Sequence, residues 1–382
     1  MKQLYDFEEI RPFHDEEVNE VISSLIKEEG FKHAVHFVMP NIDYDTFSKG
    51  LLTYTNKDDF QSKTVVPFLL SLVKSSTSSL SLSGIENIEK TDSYTFMSNH
   101  RDIVLDASFL NLLLWQNGFS TSEVAIGDNL LKLPWISNLV RLNKSFIVKR
   151  DISGRKMLEI SRRLSAYIHF AIKTKHQSVW IAQREGRAKN SDDRTQESLI
   201  KMLALEGSND LWESIRSVNI TPVSISYEYD PCDFLKAREF QMKRDNPDYK
   251  KSPEEDLLNM ETGMLGYKGN VVFRIAEPIN KTLSQITPPE DKAEELACIT
   301  GTIDKAIHSN YQIYAGNYVA YDELSGSQFQ DKYTPQEKDI FMQYLDKQLK
   351  KIVMPNPDIP YLKEKILEMY ANPLRNKLIA KK

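Results

Sequence analysis

The chain has 382 residues, 41% of them apolar and 27% charged, with a formal net charge of −5 and two cysteines. That length builds a sizeable core without staples, and the acidic balance argues against general nucleic-acid binding. Cys232 and Cys298 offer neither a metal spacing nor a disulfide framework, so a reducing compartment is expected.

The start, Met1 to Glu9, is acidic, with no apolar core of the kind a secretory leader carries. No run reaches the roughly 20 apolar residues of a spanning helix, so any meeting with a membrane is expected at its surface. Residues 15–29 predict an amphipathic helix, with Val18, Val21, Ile22, Leu25 and Ile26 on one face. Helices continue through 30–75 with a weaker pattern. The Ser/Thr-rich stretch Ser75–Ser83 reads as a break. We place a boundary there, between an N-terminal helical region, 1–78, and a core, 79–320. In that core apolar runs alternate with helical patterns. Strands are expected at 94–97, 123–127, 145–149, 178–182 and 220–227, and helices at 104–117, 134–141, 154–175 and 195–216. A further strand is expected at 271–276. The alternation implies an α/β fold with a mixed, mainly parallel sheet flanked by helices. Residues 236–256 and 289–309 read as helical. Residues 334–352 form an amphipathic helix within a C-terminal helical extension, 321–382.

His100 stands where the strand at 94–97 hands over to a helix, with Asp102 and Asp106 close behind. A histidine at the end of a rigid element, with a carboxylate one turn on to fix its tautomer, suits a general base. Either aspartate is a candidate partner. Three more segments follow: Asn143–Arg150, Val179–Lys189 and Thr221–Glu228. Together with Asn99-His100-Arg101, their order and spacing resemble the four blocks of the glycerol-phosphate acyltransferase superfamily. In that superfamily the first aspartate usually falls five residues after the histidine. Here Leu105 holds that place and Asp106 follows it. The third block is usually E-G-x-R after a proline. Here Arg187 follows Glu185-Gly186 directly, and Arg184 stands where the proline would be.

The resemblance implies an O-acyltransferase. His100 would take the proton from the acceptor hydroxyl, with Asp106, or Asp102 if the turn is unusual, orienting the ring. Lys149, Arg150, Glu185, Gly186, Arg187 and Lys189 would bind the acceptor and its phosphate, and Pro222 and Val223 would line an acyl groove. Acyl-CoA or acyl-carrier protein would be a co-substrate, with no bound cofactor and no metal. The acceptor would be glycerol 3-phosphate or 1-acylglycerol 3-phosphate, and Arg101 leans towards the first. The chain has no G-x-S-x-G elbow, which disfavours a serine hydrolase. From Leu130 to Arg163 nine bases face two acids, Asp151 and Glu159. That window reads as an anionic-membrane surface, giving a cytoplasmic, peripheral enzyme. His169 and His176 read as solvated. Two other functions stay open: an acyltransferase for a lyso-lipid without glycerol phosphate, and a catalytically silent lipid-binding member of the fold.

Overall fold

Seven strands form one sheet in the computed structural model, which describes residues 5–150 and 154–382. They are β1 (Ser79–Ser83), β2 (Thr95–Ser98), β3 (Glu123–Gly127), β4 (Ser145–Val148), β5 (Val179–Ala182), β6 (Ile220–Tyr227) and β7 (Asn270–Ile275). Their order across the sheet is β1-β7-β6-β2-β5-β3-β4. β6, β2, β5, β3 and β4 run parallel. β7 is antiparallel to β6, and β1 is parallel to β7, so this edge pair runs against the other five. The mixed, mainly parallel sheet is therefore the one the alternating pattern implied. All eight residues of β6 are buried, as a strand covered on both faces requires.

Alternation along the strands sorts their side chains into two cores. Met97, Ile181 and Ile220 pack under the helices Arg155–Lys173, Glu197–Leu203 and Lys292–Ser309. Phe96, Trp180, Val223 and Phe273 pack under Val66–Ser76 and Leu105–Gln116. The N-terminal helices Val18–Leu25, Glu29–Val38 and Tyr44–Leu51 share a third cluster with Leu142, at the end of helix Pro134–Leu142. A fourth cluster joins the helices Asp233–Asp245, Ala315–Ser325, Pro335–Lys350 and Ile359–Ala380.

Two parts differ from expectation. The stretch expected to break the chain ends in β1, an edge strand of sequence SLSLS. Leu80 and Leu82 turn towards the core while Ser79, Ser81 and Ser83 stay exposed. Its period-2 alternation holds it against β7, overriding the turn preference of serine. Helix Ala315–Ser325 spans the expected division at 320/321, while the long helix Ile359–Ala380 lies within the expected C-terminal helical extension. Among the described residues no helix is long and apolar enough to cross a membrane.

Candidate active site

The carboxyl ends of the parallel strands share one edge of the sheet, and β2 delivers His100 there. Asn99 fixes the root of this loop. Its side chain donates to Ile225 O at 2.9 Å and accepts from Ile225 N at 2.8 Å, prolonging the β2–β6 ladder beyond Ser98. His100 Nδ1 then donates to Asp106 Oδ2 at 2.8 Å. A carboxylate only accepts, so Nδ1 is the donor, and in the neutral ring that leaves Nε2 as the nitrogen with the lone pair. Asp106 is fully buried in the first turn of helix Leu105–Gln116. Its Oδ2 also accepts from the backbone N–H groups of Arg101 (2.6 Å) and Asp102 (3.0 Å), which hold the carboxylate in place. The imidazole stands edge-on to Trp180, with ring centroids 5.6 Å apart, and Trp180 Nε1 donates to Ser98 Oγ at 3.0 Å. The Tyr227 phenol, at the end of β6, is pushed well above its ordinary value by burial and then by the Asp106 charge.

Asp102 faces elsewhere. Its Oδ1 accepts from Val104 N (2.9 Å) and Leu105 N (2.8 Å), capping helix Leu105–Gln116. Its Oδ2 lies against Gly263, where an added Cβ would come within 2.0 Å. Burial and the nearby Asp106 push its carboxyl up, against the pull of those two N–H groups and of Arg187. Of the two candidate partners, the geometry pairs Asp106 with His100 and uses Asp102 as a cap. Arg101 is buried against Asp193 at 2.7 Å and lies over the Tyr311 ring, so it presents no charge for an acceptor.

The expected cations fall into two groups. Arg187 and Lys189 line one cleft of about 250 Å³. Arg187 Nη2 donates to Asn259 Oδ1 at 3.2 Å, while Lys189 pairs with Glu239. Burial lowers the Lys189 ammonium to about 8, although Glu239 pulls it back up. Gly186 shapes this turn with a φ of +65°, a left-handed conformation suited to glycine. Lys149 and Arg150 lie apart. Arg150 pairs with Glu185 across the loops after β4 and β5, and Lys149 lies 3.8 Å from Asp128.

The expected acyl groove is not built from Pro222 and Val223. Both are buried inside β6, and Val223 is fully enclosed in the core beneath helix Leu105–Gln116. The cover explains the burial of Val223: its face of the sheet lies under helices Val66–Ser76 and Leu105–Gln116. The basic window also divides. Arg141 donates to the backbone carbonyls of Arg11 and Glu8, Lys144 pairs with Asp58 at 2.7 Å, and Arg163 pairs with Glu9 at 3.1 Å. Arg155, Lys156 and Arg162 remain exposed. Asp151 lies outside the described residues. His169, expected in solvent, is buried, with Nε2 bonded to Leu203 O at 3.0 Å.

Two helices complete the site from later in the chain. Pro253–Leu265 places Asn259 against Arg187 and Gly263 against Asp102. Asp233–Asp245 brings Glu239, Phe240 and Lys243 to the cleft. No local motif marked these residues.

Residues 79–226 match the model of the Acyltransferase family. No curated protein matches the sequence. Among solved structures, the chain is similar to the 1-acyl-sn-glycerophosphate (LPA) acyltransferase PlsC from Thermotoga maritima. The identity is 12% and the TM-score 0.38, over 74% of this chain and 92% of that one.

Proposed function

We propose, from the match of residues 79–226 to the Acyltransferase family, that the protein moves a fatty acyl group from a thioester to the hydroxyl of glycerol 3-phosphate or 1-acylglycerol 3-phosphate. The donor is acyl-CoA or acyl-carrier protein, and the product a phospholipid precursor. The observation that carries this reading is the pair His100–Asp106, held 2.8 Å apart at a strand end, with Arg187 tied to the adjoining Asp102 turn through Asn259 and Gly263 of helix Pro253–Leu265.

The chemistry follows from the pair. His100 Nε2 takes the hydroxyl proton as the acceptor oxygen attacks the thioester carbonyl carbon. The C–O bond forms and the carbonyl becomes an oxyanion. Collapse breaks the C–S bond, and the departing thiolate takes the proton from the imidazolium. Asp106 stabilises that imidazolium and holds the ring. Such a base contributes about 10²- to 10⁴-fold. No protein nucleophile takes part. Arg187 and Lys189 hold the acceptor's phosphate, since guanidinium and ammonium groups bind phosphate oxygens strongly. Arg155, Lys156 and Arg162 attract the enzyme to an anionic membrane surface.

The test is an acyl-transfer assay on the full chain. It offers glycerol 3-phosphate, lysophosphatidate and a phosphate-free monoacylglycerol, each with one acyl-CoA and one acyl-carrier protein. Transfer to the first two is expected. Absence of transfer to every acceptor would sink the reading, and equal use of the phosphate-free acceptor would remove the roles of Arg187 and Lys189.

A further inference from the structure

The cleft that Arg187 and Lys189 line also contains Arg184, Glu239, Phe240 and Lys243. Four cations thus face a single carboxylate. Glu239 is buried and already shared by Lys189 and Lys243, the latter at 3.0 Å. Among the described residues no carboxylate pairs with Arg184 or Arg187. Arg184 Nε and Arg187 Nη1 are buried without a hydrogen-bond partner. Buried donors of this kind are costly unless something accepts from them. Lys243 comes from helix Asp233–Asp245, beyond the matched segment 79–226. Arg184 stands where the resembled pattern has a proline.

We propose that Arg184 and Lys243 extend the phosphate site into a headgroup filter, which admits acceptors ending in a phosphomonoester and rejects those ending in an ammonium-capped phosphodiester. This rests on the acyl-transfer reading above. A phosphomonoester, whose second pKa is about 6, is close to a dianion at neutral pH and complements a cleft whose lining holds four cations and one carboxylate. Choline or ethanolamine would set an ammonium among four like charges, which works against the wrong partner. An aromatic cage can capture a quaternary ammonium, but the cleft offers one ring, Phe240. The phosphate bound here belongs to the acceptor. Glycerol phosphate keeps its phosphate a few bonds from the reacting hydroxyl, whereas a pantetheine arm carries the donor's phosphates far from the thioester. Arg187 is close to the reacting loop, because Asn259, which it bonds, shares a helix with Gly263, which touches Asp102.

The experiment uses the full chain in detergent, as wild type, Arg184→Ala, Lys243→Ala, the double variant and Lys243→Arg. KM and kcat are measured for lysophosphatidate, soluble glycerol 3-phosphate and lysophosphatidylcholine, together with the donor KM. Wild type should favour the two phosphomonoesters. Each alanine should raise their KM by about tenfold, the loss falling on KM rather than kcat, and Lys243→Arg should restore most of it. Equal use of lysophosphatidylcholine by wild type, or a rise in donor KM in place of acceptor KM, would overturn the filter. Inorganic phosphate gives a readout independent of turnover. It should raise the melting temperature of the wild type and not of the double variant. Equal stabilisation of both removes the subsite even if acyl transfer is observed. If no acceptor is acylated but phosphate still discriminates the two proteins, the acyl-transfer reading fails and the anion subsite stands.

Discussion

Asp106 reaches His100 across a spacing one residue longer than the pattern it resembles, and its Oδ2 still lies 2.8 Å from Nδ1. The additional residue is absorbed in the turn before helix Leu105–Gln116, which the Asp102 side chain ties to Val104 N and Leu105 N. One aspartate makes the turn and the other uses it.

That division predicts different outcomes for three substitutions. His100→Ala should lower kcat by at least about 10²-fold with an unchanged melting temperature. Asp106→Asn should slow turnover strongly and also lower the melting temperature, because the same oxygen anchors two backbone N–H groups. Asp102→Asn should leave kcat and stability nearly unchanged, since asparagine caps a helix about as well as aspartate and burial and Asp106 already push the Asp102 carboxyl up. A crippling Asp102→Asn beside a nearly normal Asp106→Asn would reverse the assignment.

The cations should separate by assay. Arg187→Ala should raise the acceptor KM or lower kcat with soluble substrate in detergent. Neutralising Arg155, Lys156 and Arg162 together should leave detergent activity alone and weaken vesicle binding, at about 1 kcal/mol per charge on anionic lipid. Loss of detergent activity in the triple variant as deep as in Arg187→Ala would make the helix part of the acceptor site.

Lys189 supplies a pH signature. Its ammonium titrates near 8 because burial disfavours the charge. The protonated form binds phosphate, so acceptor affinity should be full below that value and decline as pH rises through it. The phosphate itself is already a dianion there. KM measured from pH 6 to 10 should climb above about 8 in wild type and stay flat in Lys189→Arg, whose guanidinium does not titrate in this range. Parallel profiles in the two proteins would dissociate Lys189 from acceptor binding.

Gly263 tests how tightly helix Pro253–Leu265 is seated. A Cβ there would come 2.0 Å from Asp102 Oδ2. Alanine improves helix propensity by up to about 1 kcal/mol, but overpacking of this kind typically costs about 1–3 kcal/mol. Gly263→Ala should therefore lower the melting temperature and, by displacing the Asp102 turn, reduce kcat as well. A raised melting temperature with normal kcat would show the helix to be loosely seated.

Local pattern carried much of this molecule. The segments at 123–127 and 220–227 are β3 and β6 to the residue, because β-branched and aromatic residues such as Val124, Ile126, Val223, Ile225 and Tyr227 favour extended pairing. Ser79–Ser83 was misread because serine promotes turns, and only pairing with β7 makes the alternating leucines decisive. The choice between Asp102 and Asp106 needed the turn's hydrogen bonds, which spacing does not encode. Burial of Arg101 by Asp193, and of Val223 beneath helix Leu105–Gln116, arises from partners remote in sequence. The same holds for the wall at Lys243 and the cover at Gly263. Each is an ordinary residue in its own helix and acquires a role only when that helix docks.

β1 is the first strand to leave the ribosome, yet its one neighbour, β7, is the last of the seven to follow. A fragment cut to residues 79–226 would keep His100, Asp106 and all of the four blocks but Tyr227 and Glu228. It would leave the β1 edge unsatisfied and expose the β6 face that β7 pairs with, an invitation to association between chains. It would also lack the helices that carry Lys243 and Gly263. The length of polypeptide that can be recognised is thus shorter than the length that can be purified as a working enzyme, and truncation series should keep at least Ile275.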